Sequence, residues 1–104
     1  MLLIALAALL DSLAASAAPG PARQAELTNM LREDCGACHG ITLKGGIGPA
    51  ITPAALNNKP RQLILDTILN GRPGTPMPPW KPFLTRDEAQ WLVERLYKGD
   101  ADER

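Results

Sequence analysis

The 104-residue chain has one histidine and two cysteines, and its formal net charge is zero. Each scarcity excludes something. A zinc site takes about four ligands, and no second Cys/His pair is present. No stretch alternates apolar and polar residues in the manner of a strand, so the chain reads as helical. The apolar run from Met1 to Leu10 is too short to span a bilayer, so no stable membrane association is expected. A near-neutral chain without a basic run gives no support to nucleic-acid binding. There is no internal repeat and no second domain.

All three of the scarce residues fall in one run, Cys35-Gly36-Ala37-Cys38-His39. A thioredoxin-like thiol pair would need a βαβ context, and a disulfide between residues 35 and 38 would leave the histidine without a role. Two thiols and an imidazole at this spacing read instead as a covalent haem c attachment site. On a continuing helix the three side chains share one face, so two sulfurs reach one porphyrin edge and the imidazole turns under the ring. Gly36 and Ala37 leave room for the macrocycle.

A histidine on one side of the iron leaves a second axial position. With no other histidine, methionine is the remaining soft ligand, at Met1, Met30 or Met77. Met1 lies in the apolar run, and Met30 lies on the helical run that leads into the motif. Met77 lies 38 residues beyond His39, enough chain to wrap a haem, and five of the ten prolines fall between Pro73 and Pro82. Proline fixes φ and restricts the unfolded chain, which suits a weak thioether ligand that must be held in place. The metal ligands expected are therefore His39 and Met77. With both axial positions filled, chemistry on a substrate at the iron is not expected, and the chain reads as a carrier rather than an enzyme. Between the ligands, Gly45-Gly46-Ile47-Gly48-Pro49 is a tight turn past the ring edge. A carbonyl near Pro49 is placed to accept the Nδ1–H of His39, which adds Pro49 to the cofactor-binding set of Cys35, Cys38, His39 and Met77.

Residues 1–17 read as a secretory signal ending in Ala15-Ser16-Ala17, although no Lys or Arg precedes the apolar run and Asp11 interrupts its end. Export suits haem c attachment, and the expected location is the periplasm. The remaining residues, 18–104, make one small monohaem domain, expected to be monomeric. A chain this short buries little core, so the apo-protein is expected to be largely unfolded. Leu27, Met30, Leu31 and Cys35 follow helical spacing. Pro60 is placed to open a second helix at its first position, carrying Leu63, Ile64 and Ile68 and ending at Asn70-Gly71. Thr85 and Glu88 form a capping box for a third, with Ala89, Leu92, Val93 and Leu96 on one face and a stop near Gly99. Thr52-Pro53 is expected to begin a short turn ending at Leu56, and residues 100–104 to fray.

The zero net charge hides an asymmetry. Residues 40–84 hold Lys44, Lys59, Arg61, Arg72 and Lys81 against Asp66 alone, a surplus of +4, while residues 85–104 carry −2. A positive rim around a haem edge would steer an acidic redox partner into a small, transient complex.

The motif Cys35-Gly36-Ala37-Cys38-His39-Gly40, the Gly48-Pro49 pair and Met77-Pro78 resemble those of the class I cytochromes c across residues 18–104. The resemblance implies an all-α fold, three main helices and loops around one covalent haem, with Cys35 and Cys38 as thioether links and His39 and Met77 as axial ligands. The stretches Thr42–Pro49 and Gly71–Trp80 are similar to the small periplasmic monohaem cytochrome encoded with cd-type nitrite reductases of denitrifying bacteria. That similarity implies electron delivery to the nitrite reductase; a redox role in maturing its haem d-type cofactor, or ligand sensing at a haem that loses Met77, are the alternatives. One departure stands out. The C-terminal helix of the family usually sets an aromatic at its crossing with the N-terminal helix, whereas here that face is Leu92, Val93 and Leu96, with Trp91 opposite and Tyr97 at the margin.

Overall fold

The fold is taken from a computed structural model, which describes residues 18–99. The expected signal segment, 1–17, and the expected frayed end, 100–104, lie outside the described residues. Among those described, every regular element is helical. None of these helices is long and apolar enough to cross a membrane.

Helix α1, Pro21–Met30, starts with proline in its first turn, where the missing N–H costs no bond. Its Leu27 is fully buried. The chain does not then continue as a plain α-helix into the motif. Residues Leu31–Cys35 form a π-helical turn, closed by the Gly36 N–H on the Leu31 carbonyl. This wider turn inserts about one extra residue into the ladder, so the motif face is rotated from the continuation of the Leu27 face. Helix α2, Gly36–His39, ends at Gly40, whose φ of +95° suits glycine. A Cβ there would meet the Gly45 carbonyl oxygen at 2.6 Å.

Helix α3, Pro53–Leu56, is a single turn capped by Thr52, whose Oγ1 accepts the Ala55 N–H at 3.3 Å. Helix α4, Arg61–Asn70, starts one residue later than the sequence suggests. Pro60 has an extended ψ of 141° and caps the helix from outside instead of taking its first position. Gly71 closes α4 as expected. Helix α5, Arg86–Lys98, carries the expected capping box in full. Glu88 N–H donates to Thr85 Oγ1 at 3.1 Å, and Thr85 N–H donates to Glu88 Oε1 at 2.9 Å. It stops at Gly99 in the left-handed region, φ +84°.

Helix α5 is the spine on which the others pack: α1, α3 and α4 all touch it. Its buried residues are Ala89, Leu92, Val93 and Leu96, the face expected from their spacing. Among the described residues eleven apolar side chains are buried in the core, of which nine are leucines and none is aromatic. The buried face of α5, which α1 crosses, is thus aliphatic, and Trp91 and Tyr97 pack partly buried against the core. Arg23 on α1 fastens the same crossing. Its Nε donates to Glu88 at 2.7 Å and its Nη2 donates to the Phe83 carbonyl at 2.9 Å.

Candidate haem site

The motif and the proline loop face each other across a cavity of about 710 Å³, a size typical of small-molecule and cofactor sites. Cys35, Cys38 and His39 form part of its wall, as do Pro49 and Met77. Ile64, Ile68, Trp80, Leu92 and Leu96 supply apolar surface from α4, the loop after it and α5. The five residues expected from the sequence are therefore gathered at one cavity. Met30 also lines it, on the helix that precedes the motif.

His39 is oriented by the loop that follows it. Its Nδ1 lies 2.7 Å from the Pro49 carbonyl oxygen. That oxygen can only accept, so Nδ1 carries the proton and Nε2 keeps the lone pair needed by a metal. The loop is folded tightly back on the motif. Gly45 N–H donates to the His39 carbonyl at 2.8 Å, and Gly48 N–H donates to the Cys38 carbonyl at 2.7 Å. Gly48 lies flat against the imidazole, with room for no side chain. Leu43, buried in the same loop, holds φ +61°, an uncommon conformation for a branched side chain.

Met77 is held with equal economy. Arg72 N–H donates to the Met77 carbonyl at 3.1 Å, and Trp80 N–H donates to the Ile68 carbonyl at 2.9 Å. Thr75 Oγ1 donates to the Arg72 carbonyl at 2.7 Å and accepts the Met77 N–H at 3.3 Å. The loop can close this tightly because residue 71 is glycine, at φ +69°. A Cβ there would fall 2.8 Å from the Met77 carbonyl oxygen. The sequence identified the prolines; it gave no sign that Gly71 and Arg72 are where the loop is fastened.

The two thiols are unpaired and half-buried. Burial pushes the Cys35 thiol up to about 11, with Asp34 and Cys38 adding to it. The free thiol of the folded chain would stay protonated at neutral pH and be a poor nucleophile. Among the described residues no group of three His, Cys, Asp or Glu side chains gathers to hold a metal ion.

The positive charge is placed more selectively than the sequence suggests. Lys59 and Arg72 line the cavity, and Lys44 and Lys81 are exposed. Arg61, counted with them from sequence, instead pairs with Glu94 and stacks 4.4 Å from the Tyr97 ring centre. It lies in a second depression, of about 560 Å³, between α4 and α5. There the Arg95 guanidinium stacks over Trp91 at 4.4 Å. That depression contains neither thiol, imidazole nor thioether, and of its charged groups Arg61 and Glu94 pair with each other, so the motif cavity is the candidate functional site.

The cavity fits a haem on its own evidence: apolar walls, two free thiols, an oriented imidazole and a thioether on the same wall. Residues 22–94 match the family described as cytochrome C oxidase, cbb3-type, subunit III. The chain belongs to the c-type cytochromes. This cytochrome is 47% identical over 100 residues to the cytochrome c55X of Paracoccus denitrificans, covering 93% of this chain and 97% of that one. The solved structure of the c-type cytochrome NirC matches it with a TM-score of 0.78 and 54% identity, over 80% of this chain and 98% of that one. A dihydro-heme d1 dehydrogenase of Pseudomonas aeruginosa is 40% identical over 98 residues, but these cover only 18% of that protein. Haem c is the cofactor of the family, and Cys35 and Cys38 are the pair at the spacing for its attachment.

Proposed function

We propose that this cytochrome is a periplasmic carrier of single electrons to a nitrite reductase in denitrification. In this reading Cys35 and Cys38 hold haem c by thioethers, and His39 and Met77 are the axial ligands. Haem c supplies one-electron exchange at iron. The protein's residues keep the ligation the same in both oxidation states and shape the surface presented to the partner. The observation that carries the reading is the pairing of an oriented His39 with a loop-clamped Met77 on the walls of one cavity. His/Met ligation raises the potential of c-type cytochromes.

Lys44, Lys59 and Lys81 would guide an acidic partner, and Ile47 and Leu63 give the cavity mouth an exposed apolar contact, at 82% and 51% exposure. Steering of this kind is screened by salt. Stopped-flow reduction of nitrite reductase by the reduced cytochrome should therefore slow as ionic strength rises. A rate that is flat with salt would count against this docking. Export implies removal of residues 1–17, which the N-terminal mass of periplasmic protein would show.

The likeness to a dihydro-heme d1 dehydrogenase favours a second reading, in which the cytochrome takes electrons released during maturation of the reductase cofactor. Deletion of the gene separates the two. A reductase lacking its cofactor favours maturation; a complete reductase that is reduced slowly favours the carrier.

A further inference from the structure

We propose that Arg72 pairs with a haem propionate and, through its backbone, couples the seating of that propionate to the loop that carries Met77. The inference rests on the haem reading above. Haem c bears its two carboxylates on the porphyrin edge opposite the thioethers. Cys35 and Cys38 fix the thioether edge to one short stretch of chain, so the carboxylates are presented to other elements.

Apart from His39, the charged side chains on the cavity wall are Asp34, Lys59 and Arg72. Asp34 adjoins Cys35 and has the wrong sign. Among the described residues neither Lys59 nor Arg72 forms an ion pair. A carboxylate taken into a largely apolar cleft needs a charged hydrogen-bonding partner. A planar guanidinium meets it with two parallel bonds, which an ammonium cannot do.

The backbone separates Arg72 from Lys59. Lys59 is fixed at two points, neither of them on the Met77 loop: its N–H donates to the Leu56 carbonyl at 2.9 Å and its carbonyl accepts the Tyr97 hydroxyl at 2.8 Å. Arg72 is fixed at three: its N–H donates to the Met77 carbonyl, and its carbonyl accepts both the N–H and the hydroxyl of Thr75. The main chain of Arg72 is spent on the Met77 loop while its guanidinium stays uncommitted at the cavity. A carboxylate bound there would be held by the same residue whose backbone fastens the Met77 loop.

The test uses holoprotein. In the reduced wild type, nuclear Overhauser contacts should connect propionate methylene protons with the Arg72 side chain. Propionates that contact Lys59 or other residues alone would overturn the proposal. Arg72→Gln leaves a carboxylate uncompensated near iron and favours the ferric state. At fixed poise the ferric-to-ferrous ratio should rise about tenfold, the scale of one unit charge at haem-edge range in an effective dielectric of about 20. Arg72→Lys should recover most of that change, and Lys98→Gln, on α5 outside the cavity, should leave the ratio unmoved. An unchanged ratio in Arg72→Gln overturns the pairing. So does loss of the methionine–iron band with unmoved propionate resonances, because that limits Arg72 to holding the loop. Failure of the ligation reading looks different: the band is then missing from the wild type itself, while the Overhauser contacts still decide where the propionates lie.

Discussion

A Cβ added to Gly48 would stand 2.9 Å from both Cε1 and Nδ1 of His39. Gly48 is not in the left-handed region, so alanine could adopt its backbone, and the contact with the imidazole is the whole obstacle. Gly48→Ala must therefore move the ring or the loop, at the expense of the bond from Nδ1 to Pro49. We expect the variant holoprotein to lose about 1–3 kcal/mol, the usual range for overpacking, in guanidinium unfolding followed at the haem absorption. Gly20→Ala has open space and an ordinary φ of −71°, and should stay within about 0.5 kcal/mol of wild type. Equal effects at both positions would mean that the imidazole contact is not what matters.

Leu96 is 3% exposed and belongs to both the leucine core and the cavity wall. Truncating such a residue loses transfer energy and leaves a cavity, so Leu96→Ala should cost about 2–5 kcal/mol. Urea unfolding of the holoprotein measures this. A loss under about 0.5 kcal/mol, the range of a surface change, would place Leu96 outside the core.

How far such residues could be read from the chain depended on the range of the interactions that fix them. The capping box at Thr85 and Glu88, the stop at Gly99 and the buried face of α5 are local, so spacing and residue type suffice. The attachment motif is local too, and Met77 was reachable because the chain offers few soft ligands. The π-turn at Leu31–Cys35 was not legible, since nothing in Leu-Arg-Glu-Asp-Cys separates an i→i+5 bond from an i→i+4 bond. Pro60 suits either side of a helix start, and only its ψ decides. Arg61 looked like its basic neighbours until α5 brought Glu94 and Tyr97 beside it. Leu43 in the left-handed region carries no sequence signal at all.

The clamp between Arg23 and Glu88 gives the fold a dependence on pH. The hydrogen bond from Arg23, with that from the Thr85 N–H, holds the Glu88 carboxyl below its ordinary value of 4.5. A carboxyl whose value is depressed on folding stabilises the fold above its unfolded value and loses that contribution as pH falls through the folded one. The melting temperature of wild type should therefore exceed that of Glu88→Gln by a constant amount above about pH 5. The difference should shrink toward zero as the pH drops below the unfolded value. A difference that persists unchanged into strong acid would mean that the carboxylate charge contributes nothing.

Met77 carries the most consequential expectation. Its loop is fastened at Gly71, Arg72 and Thr75 independently of any bond from the sulfur, so Met77→Ala should fold with the loop in place. The variant would leave one axial position without its side chain. The oxidised wild type should show the methionine–iron band at the red end of the visible spectrum, and the variant should lack it. Reduced wild type should bind carbon monoxide slowly or not at all, since the thioether must first leave, whereas reduced Met77→Ala should bind it rapidly. Because thioether ligation raises the potential, the variant should also be harder to reduce. Rapid carbon monoxide binding by the wild type, together with a spectrum that Met77→Ala does not change, would make the protein a ligand-binding haem and not a closed carrier.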